Sequence, residues 1–485
     1  MKKSNTQNRG AFFQSEQSIC PLCRKLIQGK IIFIDNRVIL KKRCSEHGEF
    51  ESLLSSDKKY WLESLTYTKP GANPNKWSTK PIKGCPEDCG LCEDHEQHTC
   101  SPIIEITNYC DLNCPICMVW NQNNYHMKFN AFKKIVNGLI EKESTLEVVF
   151  LSGGETTLHP DFFQFCKYIV KKNEIKRVLI SSHGLKIGKD KEFAKRFKEL
   201  GLYLSLQFDT NNKKTSNSMR GTDLVKKKIA CLENCNKYDI PTVFVITVAR
   251  DYNEDELGSI LDYALSLDFV TSVTIQPMAY TGSGGTGFPQ DPLLKLTQPD
   301  IHNLLDAQSK WIKKTDFYPV PCSHPSCYSA CYLLRLENGE FVPITRFAEI
   351  ATYLDAQQNK AVMSGGAREE KLVQDAIYNL WSAQSITADS DAVLNSLKAI
   401  YDRYNQPDCC QPLWKENEKN IKAIFIHSFM DELDMTISRI RKCCTHYALP
   451  DGRLIPGCAY NTVHRYRDER LALRDIKPVN RNLLE

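Results

Sequence analysis

Three cysteines, Cys110, Cys114 and Cys117, stand in the run TNYCDLNCPIC with C-x3-C-x2-C spacing. Three thiolates on one tight loop can bind three corners of a 4Fe–4S cube and leave the fourth iron without a protein ligand. An open iron is a place for chemistry, whereas a cube closed by four cysteines passes electrons. The spacing recurs in GCPEDCGLCEDHEQHTC, where Cys85, Cys89 and Cys92 are followed by Cys100. Those residues precede the first predicted barrel strand, so they read as ligands of an auxiliary 4Fe–4S cluster. Three groups lie toward the end of the chain: Cys322, Cys327 and Cys331 in PCSHPSCYSAC, the pair Cys409 and Cys410, and Cys443, Cys444 and Cys458 in KCCTHYALPDGRLIPGC. They nominate at least one further cluster, its ligands pooled from separate segments. His324 and His446 stand beside them, as ligands or as hydrogen-bond partners of a cluster sulfur.

A different metal chemistry is written near the start. CPLC and CSEHG place Cys20, Cys23 and Cys44 at knuckle spacing, with His47 or a distant cysteine as fourth ligand. Zinc and a single iron both take four tetrahedral donors, and the spacing fits either. Cys166, Cys231 and Cys235 fall on predicted helices and are expected as small core residues.

The elements that must position these groups alternate. Short apolar runs at 103–107, 147–153, 177–182, 203–209, 242–249 and 272–277 read as strands, with helical stretches near 128–142, 160–172, 190–200, 221–237 and 254–267. That rhythm predicts an α/β fold with a parallel sheet, an open (β/α)6 barrel whose strand ends share one mouth. The cysteine loop 110–117 follows the first strand and SGGETTLHP (152–160) the second. The expected organisation is a metal-binding ribbon (1–70), a cysteine-rich linker with auxiliary ligands (71–100), the barrel (101–290) and a C-terminal auxiliary-cluster and substrate region (291–485).

The chain is 485 residues with 21 cysteines and a net charge of +5. The start, MKKSNTQNRGAFFQSEQ, has no apolar run of a signal peptide, and no stretch is long and apolar enough to span a membrane. A cytoplasmic location is expected, where clustered cysteine reads as metal binding rather than disulfide. The small mixed charge gives no reason to expect nucleic acid.

The C-x3-C-x2-C loop after a strand, with Gly-Gly-Glu after the next strand, resembles the signature of the radical S-adenosylmethionine (SAM) enzymes. The resemblance implies that the open iron of the 110–117 cluster chelates SAM and that one electron cleaves it to a 5′-deoxyadenosyl radical. It implies that Gly153 and Gly154 let backbone approach a bound ligand and that Glu155 accepts a hydrogen bond from the amino group of SAM. Ser182 and His183 would contact the nucleoside, and Arg220 would pair with the SAM carboxylate. Gln207 and Asp209, two residues apart at the end of the fourth strand, are expected to share one face and look into the barrel. QPMAYTG (276–282) would line the substrate side.

Taken together, CPLC…CSEHG, CPEDCGLCEDHEQHTC, TNYCDLNCPIC, SGGETTLHP, LQFD, MRG, QPMAYTG, PCSHPSCYSACYLL and HSFMDELD…CCTHYALPDGRLIPGCAYN resemble one branch of that superfamily. It is the group containing archaeal tetraether lipid synthase and dihydropterin (hydroxymethylpterin) methyltransferases. The resemblance implies auxiliary iron–sulfur clusters, a rubredoxin-like N-terminal metal site and, for the synthase, joining of unactivated carbons of lipid chains. Departures are GGET for GGEP, QFDT for QFDG and an insertion around 355–420. The expected function is radical functionalisation of an unactivated carbon, with carbon–carbon coupling on a lipid-like substrate first. Radical methyl transfer to a pterin or other ring compound is the alternative, and a non-catalytic electron-transfer protein the rival. Expected partners are a small-molecule or lipid substrate, a reductant such as ferredoxin or flavodoxin, and a peripheral membrane contact.

Overall fold

The computed structural model describes residues 10–119, 125–288, 291–363, 367–381, 390–404 and 418–471. Cys409 and Cys410 lie outside them. Four antiparallel strands open the described chain: β1 (Ala11–Ile19), β2 (Leu26–Ile34), β3 (Arg37–Cys44) and β4 (Gly48–Ser55), in that spatial order. The turn after β1 carries Cys20 and Cys23, and Cys44 with His47 flanks the turn between β3 and β4. A helix, Lys58–Thr66, follows, capped by Asp57 accepting from the Tyr60 amide at 3.1 Å. It seals the ribbon by setting Trp61 edge-on against Phe13 and Phe33.

The six predicted strands form with nearly the predicted bounds: β5 (Ser101–Thr107), β6 (Val149–Gly153), β7 (Val178–Ser182), β8 (Tyr203–Gln207), β9 (Thr242–Val248) and β10 (Val270–Pro277). Each pairs in parallel with the next. The five predicted helices appear as Phe129–Glu143, Phe162–Ile169, Lys191–Glu199, Val225–Tyr238 and Leu257–Ser266. Alternation explains the layering. On β5, Ile104 and Ile106 point outward and are fully buried under helices, while Ile103 and Glu105 face the interior cavity. Phe132, Ile135, Val136 and Leu139 form the matching buried stripe on the first helix, where Phe132 stacks on Phe165 at 4.5 Å.

The later part of the chain builds onto this sheet, an outcome the βα rhythm does not announce. The remaining strands are β11 (Tyr318–Pro319), β12 (Tyr328–Arg335), β13 (Phe341–Pro343), β14 (Ile421–His427), β15 (Thr445–Ala448) and β16 (Leu454–Pro456). β14 runs parallel to β10, and β15 parallel to β5. The six strands thus become a run of eight parallel ones, 14-10-9-8-7-6-5-15, open among the described residues. Helices Ala367–Trp381 and Ser390–Tyr404, from the region read as an insertion, contribute to the lining of the interior cavity through Leu372, Val373, Ala376 and Leu397. No helix among the described residues is long and apolar enough to cross a membrane.

Candidate active site

A cavity of about 470 Å³ opens at the C-terminal ends of the barrel strands and runs down their interior. Cys110, Cys114 and Cys117 all line its mouth, with Gly153, Gly154, Glu155, Ser182, His183, Gln207 and Arg220. Sequence expectation and geometry therefore agree on one mouth. The individual contacts differ from several of the expectations.

Gly153 and Gly154 lie hard against neighbouring backbone. A Cβ on Gly153, whose φ is +149°, would stand 1.9 Å from the Thr107 carbonyl oxygen; one on Gly154 would stand 2.3 Å from that of Tyr109. The Gly154 amide donates to Thr107 at 2.9 Å and the Glu155 amide to Tyr109 at 2.7 Å. The glycine turn is thus locked onto the segment that leads into the cysteine loop.

Glu155 is a buried hub. One oxygen accepts from the Thr157 amide (3.1 Å), the Thr157 hydroxyl (2.6 Å) and the Ser182 hydroxyl (2.7 Å); the other accepts from the His183 amide at 2.9 Å. Ser182 is in turn held by the Gly184 amide. His183 sets its Nε2 2.7 Å from Asp111, on the cysteine loop, and 3.2 Å from Glu155. These residues tie the ends of β6 and β7 to the loop.

Gln207 and Asp209 turn the same way, the Gln207 amide donating to the Asp209 carboxylate, but only Gln207 reaches the cavity. β8 itself ends at Gln207. Gln207 lines the cavity; Asp209 is 3% exposed and lies beneath it. Arg220 meets Asp209 rather than standing open: Nε and Nη2 donate to its two oxygens at 2.7 and 3.0 Å, and the Thr247 amide adds a third bond at 2.9 Å. Asn212 caps the helix Lys213–Arg220, and left-handed Gly221 ends it, which delivers Arg220 to this place. Burial opposes the guanidinium charge, but Asp209 outweighs it and holds Arg220 above its ordinary pKa.

Two further charged groups escaped the sequence reading. Lys228, buried on the helix Val225–Tyr238, donates to the His183 carbonyl at 2.7 Å and the Gln207 side chain at 2.9 Å. Burial lowers its ammonium to about 8. In the sequence it is one lysine in a run of three. Arg465 forks onto Glu105 of β5 at 2.6 and 3.1 Å, both bonds closing one side of the mouth.

The three mouth thiols fit a cationic cluster. Burial, with Glu155 and the other two thiols nearby, pushes Cys110 up to about 12, and burial raises Cys117 as well. Such a donor set ionises when a positive centre binds it. Among the described residues the compact donor groups, within 4.8 Å of one another, are Cys20/Cys23/Cys44/His47 and Cys110/Asp111/His183. The three mouth thiols together are not such a group, as suits a cube rather than one ion.

The ribbon site does suit one ion. Bonds of about 2.3 Å to sulfur and about 2.05 Å to nitrogen give tetrahedral edges of about 3.8 Å (S···S) and about 3.6 Å (S···N). Cys23 and Cys44 Sγ are 3.9 Å apart, and His47 Nδ1 lies 3.6 Å from Cys20 and 3.5 Å from Cys44. His47 therefore fills the fourth corner.

The remaining thiols form two neighbourhoods. Cys89 lies among Cys85, Cys92 and Cys443. Cys100 lies against Cys322 and Cys444, and the amides of Cys100 and Ser101 donate to the Cys444 carbonyl at 2.9 and 3.0 Å. Between them, Arg439 donates to Cys327 at 3.1 Å, with Cys458 nearby. Cys331 is a correction. It sits on β12 opposite Ile424, fully buried with Leu333 and Phe341, because strand alternation turns it away from the face of Ala330 and Tyr332. His324 accepts from the Ser326 amide at 3.2 Å, and His446 meets His95 at 3.1 Å. Cys166, Cys231 and Cys235 are core residues, as expected.

A barrel whose strand ends gather three thiols, a glycine turn and a long cavity defines a cluster-dependent radical enzyme in architecture. The radical SAM superfamily model matches residues 104–264, and the HMPTM N-terminal zinc ribbon model matches 12–56. The chain is 31% identical over 493 residues, 93% of this chain and 94% of the relative, to the 7,8-dihydro-6-hydroxymethylpterin dimethyltransferase of Methanocaldococcus jannaschii. It is 26% identical over 268 residues to the GTP 3′,8-cyclase of Campylobacter jejuni (strain RM1221), covering 52% of this chain and 82% of that one. The chain belongs to the radical SAM superfamily, in the family of that dimethyltransferase, and is an enzyme that uses SAM and a 4Fe–4S cluster. Among solved structures, a radical SAM methyltransferase from Sphaerobacter thermophilus is similar at 12% identity and TM-score 0.32, covering 59% of this chain and 75% of that one. At that score it adds nothing to what the site shows.

Proposed function

We propose that Cys110, Cys114 and Cys117 hold the SAM-cleaving cluster of an oxygen-sensitive enzyme that functionalises an unactivated carbon of an elongated, largely apolar substrate. Carbon–carbon coupling on a lipid-like chain is the leading reaction. When bound, cluster and SAM supply a 5′-deoxyadenosyl radical that takes hydrogen from an unreactive C–H bond. One observation carries the substrate class. The cavity runs from Gly154 at the mouth to Val148, along β6 and its two flanking residues, six residue steps or roughly 20 Å at ~3.3 Å each, past Phe150, Leu179, Val243 and Val245. Beyond the cluster and SAM at the mouth, a chain-like ligand can lie along these apolar walls.

The residues of the mouth act by position. Gly153, Gly154 and Glu155 fix the cysteine loop against the ends of β6 and β7. Ser182 and His183 extend that framework toward the nucleoside side, with Gln207 beside them at the end of the next strand. The Arg220–Asp209 pair sets the charge beside Cys114 and Cys117. The apolar walls of the cavity also limit water and stray hydrogen donors near the radical.

Two auxiliary clusters complete the proposal. Cys85, Cys89, Cys92 and Cys443 surround one; Cys100, Cys322 and Cys444, with Cys327 and Cys458 at their border, serve the other. Zinc suits the Cys3His ribbon site. The division into ribbon (1–70), linker (71–100), barrel (101–290) and C-terminal region (291–485), a cytoplasmic location, a ferredoxin- or flavodoxin-type reductant and a peripheral membrane contact belong to the same reading.

Radical methyl transfer to a pterin is the second reading, supported by the name of the full-length relative. Lipid and small-molecule profiling of a deletion strain separates the two. Loss of a coupled or alkyl-modified lipid is expected; loss of a methylated pterin with unchanged lipids would replace the leading reaction with the second.

A further inference from the structure

Among the described residues, the guanidinium groups on the cavity lining or bound to it are matched by a carboxylate of the chain. Arg220 is held by Asp209, Arg465 by Glu105, and Arg177 by Glu418 at 2.7 Å. Lys228 is committed to carbonyl and amide oxygens. A substrate anion would share or break one of these pairs, and breaking one leaves a buried carboxylate uncompensated, a cost of about 3–5 kcal/mol, or more than a hundredfold in affinity. Several polar side chains of the lining, by contrast, make no hydrogen bond among the described residues; Gln276 and His427 are the amide and the imidazole among them.

These two stand side by side. β10 and β14 run parallel, with Ile275 beside Ile426, so the next residues, Gln276 and His427, occupy the same level at the strand ends. Alternation fixes their direction. Ile275, Ile424 and Ile426 point into the outer core, while Thr274, Gln276, Phe425 and His427 line the cavity. The imidazole is held in place between aromatic rings, Tyr328 edge-on at 4.6 Å and Phe429 at 4.1 Å. It is partly exposed to the cavity. Burial and the nearby Arg439 keep it neutral, lowering it to about 3. A neutral imidazole and a primary amide together offer both donors and acceptors.

We propose that Gln276 and His427 form the polar subsite of the barrel, gripping a neutral hydrogen-bonding group of the substrate, such as a hydroxyl, ether or ring amide, while its apolar part lies along the apolar walls. The inference rests on the reading that the barrel cavity holds the substrate. It goes beyond that reading by favouring a neutral partner group and naming the two contacts.

Equilibrium dialysis against anaerobically reconstituted, SAM-loaded full-length protein tests it. The probes are 1-O-hexadecylglycerol and 7,8-dihydro-6-hydroxymethylpterin, each beside its phosphate monoester. At least one neutral probe is expected to bind more than tenfold tighter than its phosphate. His427→Phe and Gln276→Leu should each weaken that probe about five- to tenfold, and His427→Gln should restore much of the loss. The bound iron content and the thermal midpoint should stay unchanged in all three. Should His427→Phe fail to fold, the Gln276→Leu and His427→Gln arms still decide. Tighter binding of a phosphate, or wild-type binding by both apolar variants, overturns the subsite while leaving the cavity reading intact. Failure of every probe to bind the wild type overturns both.

Discussion

Glu155→Gln changes one atom in the most densely bonded side chain of the mouth. The carboxylate accepts four hydrogen bonds, three on one oxygen and one on the other. An amide keeps one acceptor. Its least harmful orientation turns the new NH2 toward the His183 amide, leaving a buried donor facing a donor. That costs about 1–3 kcal/mol. Loss of the negative charge weakens the three retained bonds by another ~1–2 kcal/mol together. The expected destabilisation is about 2–5 kcal/mol, with the β6 turn and β7 end loosened from the cysteine loop. Urea unfolding of the reconstituted protein measures it, with SAM affinity by dialysis alongside. An unchanged unfolding midpoint with SAM affinity lost more than tenfold would refute the reasoning, because the carboxylate would then be serving the cofactor rather than the framework.

Other outcomes follow from particular residues. Cys331→Ala should leave the bound iron count unchanged, while Cys100→Ala should lower it by about one cluster's worth, as read by iron and sulfide analysis; equal loss in both would return Cys331 to the ligand set. His47→Ala should lower the zinc content of the ribbon and unfold it at lower temperature, while SAM cleavage stays detectable; retention of stoichiometric zinc would remove His47 from the tetrahedron. His302 is buried against Phe317, and burial pushes it down to about 3. The unfolded chain, with the ordinary value near 6.5, binds one more proton between those values, so stability is lost as pH falls below about 6.5. Relative to His302→Phe, the wild type should lose up to ~1.4 kcal/mol per pH unit from pH 6 toward 4 in urea unfolding; parallel curves would contradict the assignment.

The βα rhythm of 101–277 is legible because each strand is a short apolar run with its own period and each crossover helix carries an apolar stripe. The three mouth cysteines are legible for a different reason: a cluster loop is local in sequence, so its spacing survives in one line of text. What stays hidden is long-range. β14 and β15 join the sheet from beyond residue 420, and nothing in IKAIFIH or THYA says which edge each will pair with. His427 becomes a cavity residue only through that pairing. The same limit explains Cys331. It continues a spacing that looks functional and is redirected by which face its strand buries. The glycines of SGGE are similar, since their role depends on a backbone 46 residues earlier that the sequence places but does not bring into contact.

The central claim is that the iron opposite Cys110, Cys114 and Cys117 lacks a protein ligand and takes SAM. Electron paramagnetic resonance of the dithionite-reduced, reconstituted protein, recorded with and without SAM, tests it directly. A shifted cluster signal on adding SAM, accompanied by 5′-deoxyadenosine and absent in Cys114→Ala, is predicted. An intact reduced cluster whose spectrum SAM leaves untouched, with no 5′-deoxyadenosine formed, would contradict it.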